Sequence, residues 1–309
     1  MADISFLGLG KMGLAIASHL LRRGHRLNLY NRTASRAESL ACKGAHLFET
    51  PREACHGAGI IISMVADDNA SHAMWCGSDG ALAADLGQNA FAIECSTLSH
   101  AWVNDLSTQC VAAGLRYIDA PVTGLPDAAA AGKLTLLVGA SEQDLDAIRP
   151  ILADFSAQIL RFGPVGAGTA YKLIINLLGA VQIASAAESL VLAERAGLEM
   201  SVVAEAIAIS QAASPQVVRN VRRMIAADHD QNIVFTSALR EKDVDYALRL
   251  ARELGAGAPF GSLAGSIYRQ LCELGRDQIT VSSVIEVRRA QPTKSNDYES
   301  PEKLIITAT

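Results

Sequence analysis

Lys172 stands at the head of an otherwise apolar run, 173–181, and Asn176 follows it by four residues. A spacing of four places both side chains on one face of a helix. Lysine is among the side chains that can move a proton in catalysis. Oxidising an alcohol requires removal of the hydroxyl proton as hydride leaves the carbon, and the reverse reduction requires a donor for the forming alkoxide. Lysine serves both directions if its pKa, about 10.4 when unperturbed, is lowered by burial or a nearby cation. The plain alternative is a lysine snorkelling from a surface helix, which the apolar run at 173–181 argues against.

Hydride chemistry needs a carrier, and the N-terminus has a site for one. Gly8-Leu9-Gly10-Lys11-Met12-Gly13 is a Gly-x-Gly-x-x-Gly segment between a strand pattern at 4–7 and a helical pattern at 12–23. The first glycine makes a tight turn and the second lets backbone approach a pyrophosphate. The third permits close helix–strand packing, and the helix N-terminus attracts phosphate. The context of strand, glycines, helix and a second strand at 26–30 separates this segment from a chance match. At the end of that second strand an NAD site usually carries Asp or Glu for the ribose hydroxyl. This chain has Asn31-Arg32-Thr33 instead. Arg32 can grip a 2′-phosphate through its planar fork and Thr33 can donate a hydroxyl, so the expected cofactor is NADP.

The elements that must position these groups fall into two kinds. Strand patterns at 4–7, 26–30, 60–65, 91–94, 117–119 and 134–138 alternate with helical ones, including 34–42, as in βαβ units with a mostly parallel sheet. From 169 to about 196 runs one long helical stretch, and further helical patterns follow at 202–210, 215–227, 236–254 and 262–274 without strands between them. The predicted fold class is an α/β Rossmann N-terminal domain followed by an all-α C-terminal domain with a long interdomain helix. The expected divisions are 1–164, 165–290, and a polar tail at 291–309. A helix of that length reaches roughly 40 Å, more than a small domain covers, so a homodimer or a dimer-based tetramer is expected.

Composition agrees with a folded two-domain enzyme. Of 309 residues, 50% are hydrophobic and 19% charged, enough apolar material for a full core and too little charge for a disordered chain. The formal net charge of −5 carries no basic footprint for nucleic acid. A small anionic substrate must then be held by a few local cations and N–H groups. The cysteines Cys42, Cys55, Cys76, Cys95, Cys110 and Cys272 form no Cys-x-x-Cys pair, and the seven histidines form no ligand set, so no metal is predicted. Asn176, Gln182 and Glu188 in the long helix argue against a membrane span. No signal-peptide pattern opens the chain, and the cytoplasm is the expected compartment.

Five segments in order make the chain similar to the β-hydroxyacid dehydrogenase family. They are the glycine turn, Glu94-Cys95-Ser96-Thr97, Asp119-Ala120-Pro121-Val122-Thr123-Gly124, the segment 166–176 with Lys172 and Asn176, and Lys242-Asp243. The resemblance assigns proton transfer to Lys172, with Asn176 orienting lysine and substrate. It implies that Thr123 and Gly124 hold the substrate carboxylate, where the family usually has Ser-Gly-Gly. Here the third residue is Leu125, which narrows the loop. It places Thr97 near the nicotinamide, although a serine or threonine before a helix is also a common cap. It closes Lys242 over the cofactor and makes Asp243 a prop, although Arg240, Glu241 and Asp245 around them also suit a solvated helix face. Met64-Val65-Ala66-Asp67 stands where the family has Met-Leu-Pro, with Met64 and Val65 expected against the cofactor. Phe235, Tyr171 and Met224 are pocket candidates by composition, or ordinary core.

The implied activity is NADP-dependent interconversion of a small β-hydroxyacid and its semialdehyde or keto form. The nearest alternative is NADPH-dependent imine reduction, carried out by enzymes of similar fold that usually lack a lysine at position 172. A non-catalytic NADP-binding protein is the third reading, and it has no need of Lys172 and Asn176 together.

Overall fold

The computed structural model describes residues 1–290, so the expected polar tail at 291–309 lies outside the described residues. The N-terminal unit runs β1 (Asp3–Leu7), α1 (Lys11–Arg22), β2 (Arg26–Tyr30), α2 (Glu38–Ala41), β3 (His46–Leu47), α3 (Pro51–Cys55), β4 (Ile60–Ser63) and α4 (Asp68–Trp75). It continues through β5 (Phe91–Glu94), α5 (His100–Ala112), β6 (Arg116–Asp119), β7 (Val122–Thr123), α6 (Pro126–Ala130), β8 (Leu134–Gly139), α7 (Glu142–Ala153) and β9 (Ser156–Gly163). Helices alone follow: α8 (Ala167–Arg195), α9 (Met200–Ile209), α10 (Pro215–Ile225), α11 (Ser237–Glu253), α12 (Pro259–Glu273) and α13 (Val284–Arg289).

The strands form one sheet in the order β3-β2-β1-β4-β5-β6-β8-β7, with β9 paired to β8. From β3 to β6 every pairing is parallel. In β4, Ile60 and Ile62 enter the core on one face while Ile61 enters the core on the other. Both faces are covered, which is why this strand reads as an unbroken apolar run. The register aligns Leu7 with Tyr30 and with Ser63, then Ser63 with Glu94 and Glu94 with Asp119. Five strands therefore end level, and the loops after them open along one edge. The strand order reverses between β1 and β4, which makes the crevice above them the expected ligand site of an open α/β sheet.

Three strands escape the sequence reading. β3 and β7 have two residues each, too short for a period to show. β9 is an eight-residue edge strand with no fully buried residue, so it lacks the apolar signature of its neighbours. The helix expected at 34–42 is a tight 3-10 turn, Ala34–Ala37, followed by the single turn α2. The chain must bring both Ala37 and Leu40 into the core directly after β2, and the tighter turn does so.

α8 is long and apolar enough to cross a bilayer by length and composition alone. In the structure it is the axis of the helical unit, packed by α10, α11, α12 and α13. Its first turn is fixed to the sheet by Asp119. That buried carboxylate accepts from the Gly166 and Thr169 backbone N–H groups, each at 2.7 Å. Two orphan donors of the helix start are satisfied at once, and the carboxylate lies at the positive end of the helix. Burial raises Asp119 to about 6 against those same hydrogen bonds, which favour its charged form. This contact sets where Lys172, one turn further along, meets the sheet edge.

Candidate active site

The glycine turn follows β1 at the level sheet edge. A Cβ on Gly8 would lie 2.4 Å from the Met64 carbonyl oxygen, and one on Gly13 would lie 2.1 Å from the Gly8 carbonyl oxygen. Those two glycines are required by the protein's own packing. Beside Gly10 there is nothing within 4 Å. Gly10 is also the N-cap of α1 and offers no side-chain cap to that helix. The open space and the uncapped N–H groups fit a pyrophosphate, so the turn suits a dinucleotide.

Asn31 supports this turn from within. Its side-chain oxygen accepts from the Leu9 N–H at 2.8 Å, and its amide donates to the Thr33 carbonyl at 2.7 Å. Arg32 is exposed and makes no hydrogen bond or ion pair among the described residues. Its guanidinium is thus available at the end of β2. Lys11 and Met12 complete the loop, and Lys11 reaches across to the helical unit, donating to the Ile233 carbonyl at 2.8 Å.

The loops after β4 and β5 are tied together beneath the crevice. Glu94, fully buried, accepts from Ser71 Oγ, Trp75 Nε1 and the Ser96 N–H. Ser96 Oγ donates to Glu94 at 2.5 Å and accepts from the Val65 N–H at 2.7 Å. Burial raises the Glu94 carboxyl above the ordinary carboxylate range in spite of these donors. Met64 and Val65 are held in this way beside Gly8. The helix-cap explanation for Ser96 and Thr97 does not hold, because the cap of α5 is Ser99, whose hydroxyl accepts from the Trp102 N–H.

Two lysines and a carboxamide meet where α8 and α11 face this edge. Asn176 Nδ2 donates to Asp243 Oδ2 at 2.7 Å. Lys242 Nζ donates to the Thr97 and Ala66 carbonyls at 2.6 and 2.7 Å and lies 3.1 Å from Asp243 Oδ1. Lys242 and Asp243 therefore do not decorate a solvated face: Asp243 is 1% exposed, and Lys242 joins the two units. Tyr246 adds a further tie, its hydroxyl accepting from the Asp68 N–H at 3.2 Å.

The Lys172 ammonium is desolvated in this setting and is pulled down to about 8. Loss of water is the main cause. The Asp243 carboxylate opposes it, while the positive charges of Arg240 and Lys242 add to it. A lysine so placed gives up its proton more readily than an exposed one.

Thr123 ends β7 and Gly124 follows it. Thr123 is exposed, and its hydroxyl makes no hydrogen bond among the described residues. Gly124 has a φ of +132°, and a Cβ there would meet Leu134 at 2.9 Å. Leu125 needs no such freedom and is partly exposed as the residue before α6. Two pocket candidates are structural. Met224 is buried in the helical core, and the Tyr171 ring stacks on Phe162 with centroids 4.0 Å apart. Phe235 lies under Arg240, its centroid 4.7 Å from the guanidinium carbon. Among the described residues no cluster of metal-ligating side chains occurs.

Arg240 escapes the sequence reading as a site residue, having counted there only as a sign of solvated surface. It is 5% exposed and donates from Nη1 to the Asn176 carbonyl at 2.9 Å. A signal was present. Arg240, Asp243, Val244, Ala247 and Leu250 recur at spacings of three and four, and all are buried on α11.

Two family models cover nearly all of this structure. The NAD binding domain of 6-phosphogluconate dehydrogenase matches residues 3–163, and the NAD-binding domain of NADP-dependent 3-hydroxyisobutyrate dehydrogenase matches residues 166–287. The NAD-dependent L-serine dehydrogenase of Pseudomonas aeruginosa is 32% identical over 94% of this chain and 100% of its own length. The 3-hydroxyisobutyrate dehydrogenase of Mycobacterium tuberculosis, solved with L-serine, superposes with a TM-score of 0.84 at 30% identity, over 94% of this chain and all of that one. An imine reductase of Streptomyces aurantiacus shares the fold, with a TM-score of 0.59 at 21% identity over 93% of this chain and 99% of that one. The level sheet edge, the glycine turn and the lysine–carboxamide pair on the interdomain helix thus stand in a chain that belongs to the β-hydroxyacid dehydrogenase family.

Proposed function

We propose that the protein is an NADP-dependent dehydrogenase/reductase that interconverts a small β-hydroxyacid and its semialdehyde or keto form, with Lys172 as the proton-transfer group. The observation that carries this reading is the desolvated Lys172 ammonium, pulled down to about 8, one helical turn from an Asn176 tied to Asp243. The nicotinamide, when bound, supplies or accepts the hydride. In the reductive direction Lys172 donates its proton to the carbonyl oxygen as the alkoxide forms. In the oxidative direction the neutral amine removes the hydroxyl proton. Asn176 holds the substrate oxygen and the lysine in line, and Asp243 fixes the orientation of the Asn176 amide. Thr123 and the Gly124 turn receive the substrate carboxylate. Thr97 and Lys242 border the nicotinamide end.

NADP is preferred on the evidence of the β2 end, where Arg32 stands free and no carboxylate would repel a 2′-phosphate. Asn31 is engaged by Leu9 and Thr33, so Arg32 and the Thr33 hydroxyl are the phosphate ligands. Initial rates with NADPH and NADH against glyoxylate, succinic semialdehyde, related semialdehydes and cyclic imines test both parts of the reading. NADPH-dependent turnover of semialdehydes supports it, and turnover of imines alone contradicts it.

We infer in addition that the protein forms a homodimer along α8. Ile174, Leu178 and Leu192 are each more than half exposed on that helix, and 174 and 192 lie five turns apart on one face. Light scattering of the purified protein should give twice the chain mass or a multiple of that, and a monomer would contradict the inference.

A further inference from the structure

A cation taken out of water is costly unless a counter-ion accompanies it. Arg240 is such a cation. Its guanidinium is buried and, among the described residues, partnered only by neutral groups: the Asn176 carbonyl at 2.9 Å, the Gln216 side-chain oxygen at 3.4 Å, and the face of Phe235. Its Nε–H, also buried, has no acceptor. Among the described residues no carboxylate lies within ion-pair distance of it. Asp243, three residues along α11, is already engaged by Asn176 and Lys242.

Arg219, on α10, is a second cation in the neighbourhood of Arg240, at an exposed position. It lies three residues beyond Gln216, the residue that Arg240 contacts, and makes no hydrogen bond or ion pair among the described residues. Arg240 and Arg223 both act on it as like charges. Arg223 is itself occupied by the carbonyls of Asp228, Gln231 and Asn232 and by the Asp228 carboxylate. Beside Asn176 there is therefore one buried guanidinium without a counter-ion, Arg240, with the exposed Arg219 near enough to act on it as a like charge. The charges acting on Lys172 are likewise two cations, Arg240 and Lys242, against the single carboxylate of Asp243. The dinucleotide phosphates do not answer this excess, because their cradle is the glycine turn on the sheet side.

We propose that Arg240 and Arg219 anchor an anionic group of the substrate on the helical wall, opposite the Thr123–Gly124 loop, so that the preferred substrate is a β-hydroxyacid carrying a second carboxylate. This rests on the dehydrogenase reading for the position of the reacting carbon. It deepens that reading by naming the substrate class. One carboxylate is received by the hydroxyl and backbone of the loop. The other supplies the negative charge that buried Arg240 lacks, through charge-assisted hydrogen bonds to planar donors, with Arg219 adding its charge from the exposed side.

The test is calorimetric binding of glutarate and of butyrate to the full-length protein loaded with NADPH. The two probes differ in the second carboxylate. Glutarate should bind at least tenfold tighter than butyrate. Arg240→Met should abolish that preference, Arg219→Gln should reduce it severalfold, and Arg240→Lys should keep part of it. Should Arg240→Met fail to fold, Arg219→Gln, at an exposed position, and the charge-retaining Arg240→Lys decide the matter. Equal binding of the two probes by the unaltered protein, or a preference untouched in every folded variant, overturns the proposal. Turnover is read separately: a retained glutarate preference without oxidation of any hydroxyacid leaves the anchor standing and removes the dehydrogenase reading.

Discussion

The Asn176 amide donates to Asp243 across 2.7 Å, joining the start of the interdomain helix α8 to the middle of α11. The same carboxylate lies 3.1 Å from Lys242, which in turn holds the loops after β4 and β5. One buried acid thus couples the Asn176 face of α8 to the loops after β4 and β5. It also opposes the fall in the Lys172 pKa.

The sign of an Asp243→Asn substitution follows. The aspartate favours the protonated lysine, so its loss lowers the Lys172 pKa further below about 8. Reduction requires the protonated amine and declines as pH rises through that pKa. The pH profile of NADPH-dependent reduction should fall with a midpoint near 8 in the unaltered protein and at lower pH in Asp243→Asn. An unmoved midpoint would separate Asp243 from the lysine.

The glycine turn separates a folding requirement from a binding one. Gly13→Ala places a methyl 2.1 Å from the Gly8 carbonyl oxygen and should destabilise the apo protein by about 1–3 kcal/mol. Gly10→Ala meets open space, so the apo melting temperature should hold while dinucleotide affinity drops. Thermal melts with and without NADPH distinguish the two. Equal loss of apo stability in both variants would contradict the assignment of Gly10 to the cofactor.

Arg32 governs cofactor choice if it holds the 2′-phosphate. A hydrogen bond to a charged group contributes about 1.5–3 kcal/mol. Arg32→Ala should therefore raise the KM for NADPH by roughly ten- to a hundredfold and leave the KM for NADH nearly unchanged. Parallel steady-state titrations with the two cofactors measure this, and equal effects on both would contradict it.

Ser96 is a link under the crevice, not a helix cap. Ser96→Ala leaves the part-buried Val65 N–H without its acceptor and removes one donor from Glu94. The expected cost is about 1–3 kcal/mol of stability, with a weaker affinity for NADPH because Val65 borders the crevice. Denaturant unfolding and cofactor titration read the two effects. A variant with unchanged stability would show that Val65 and Glu94 find other partners.

Much of the candidate site was legible because its signals are local. The glycine turn, Asn31-Arg32 and the Lys172–Asn176 spacing each lie within one turn or one loop, and the level sheet edge brings their loops together. What was not legible depends on contacts across the chain. Arg240 sits among charged neighbours in sequence, and only its packing against Asn176, 64 residues away, makes it part of the site. Asp119 reads as the end of a strand until it is seen to cap α8, 47 residues on. β9 escaped because an edge strand with one open side carries no continuous apolar run.

The central claim is that Lys172 transfers the proton, and Lys172→Ala tests it most directly. NADPH-dependent reduction of the best semialdehyde and NADPH binding by fluorescence should be measured side by side on the purified variant. The account predicts a fall in kcat of roughly 10²- to 10⁴-fold with NADPH affinity preserved. A variant that binds NADPH and turns over at the rate of the unaltered protein would contradict it.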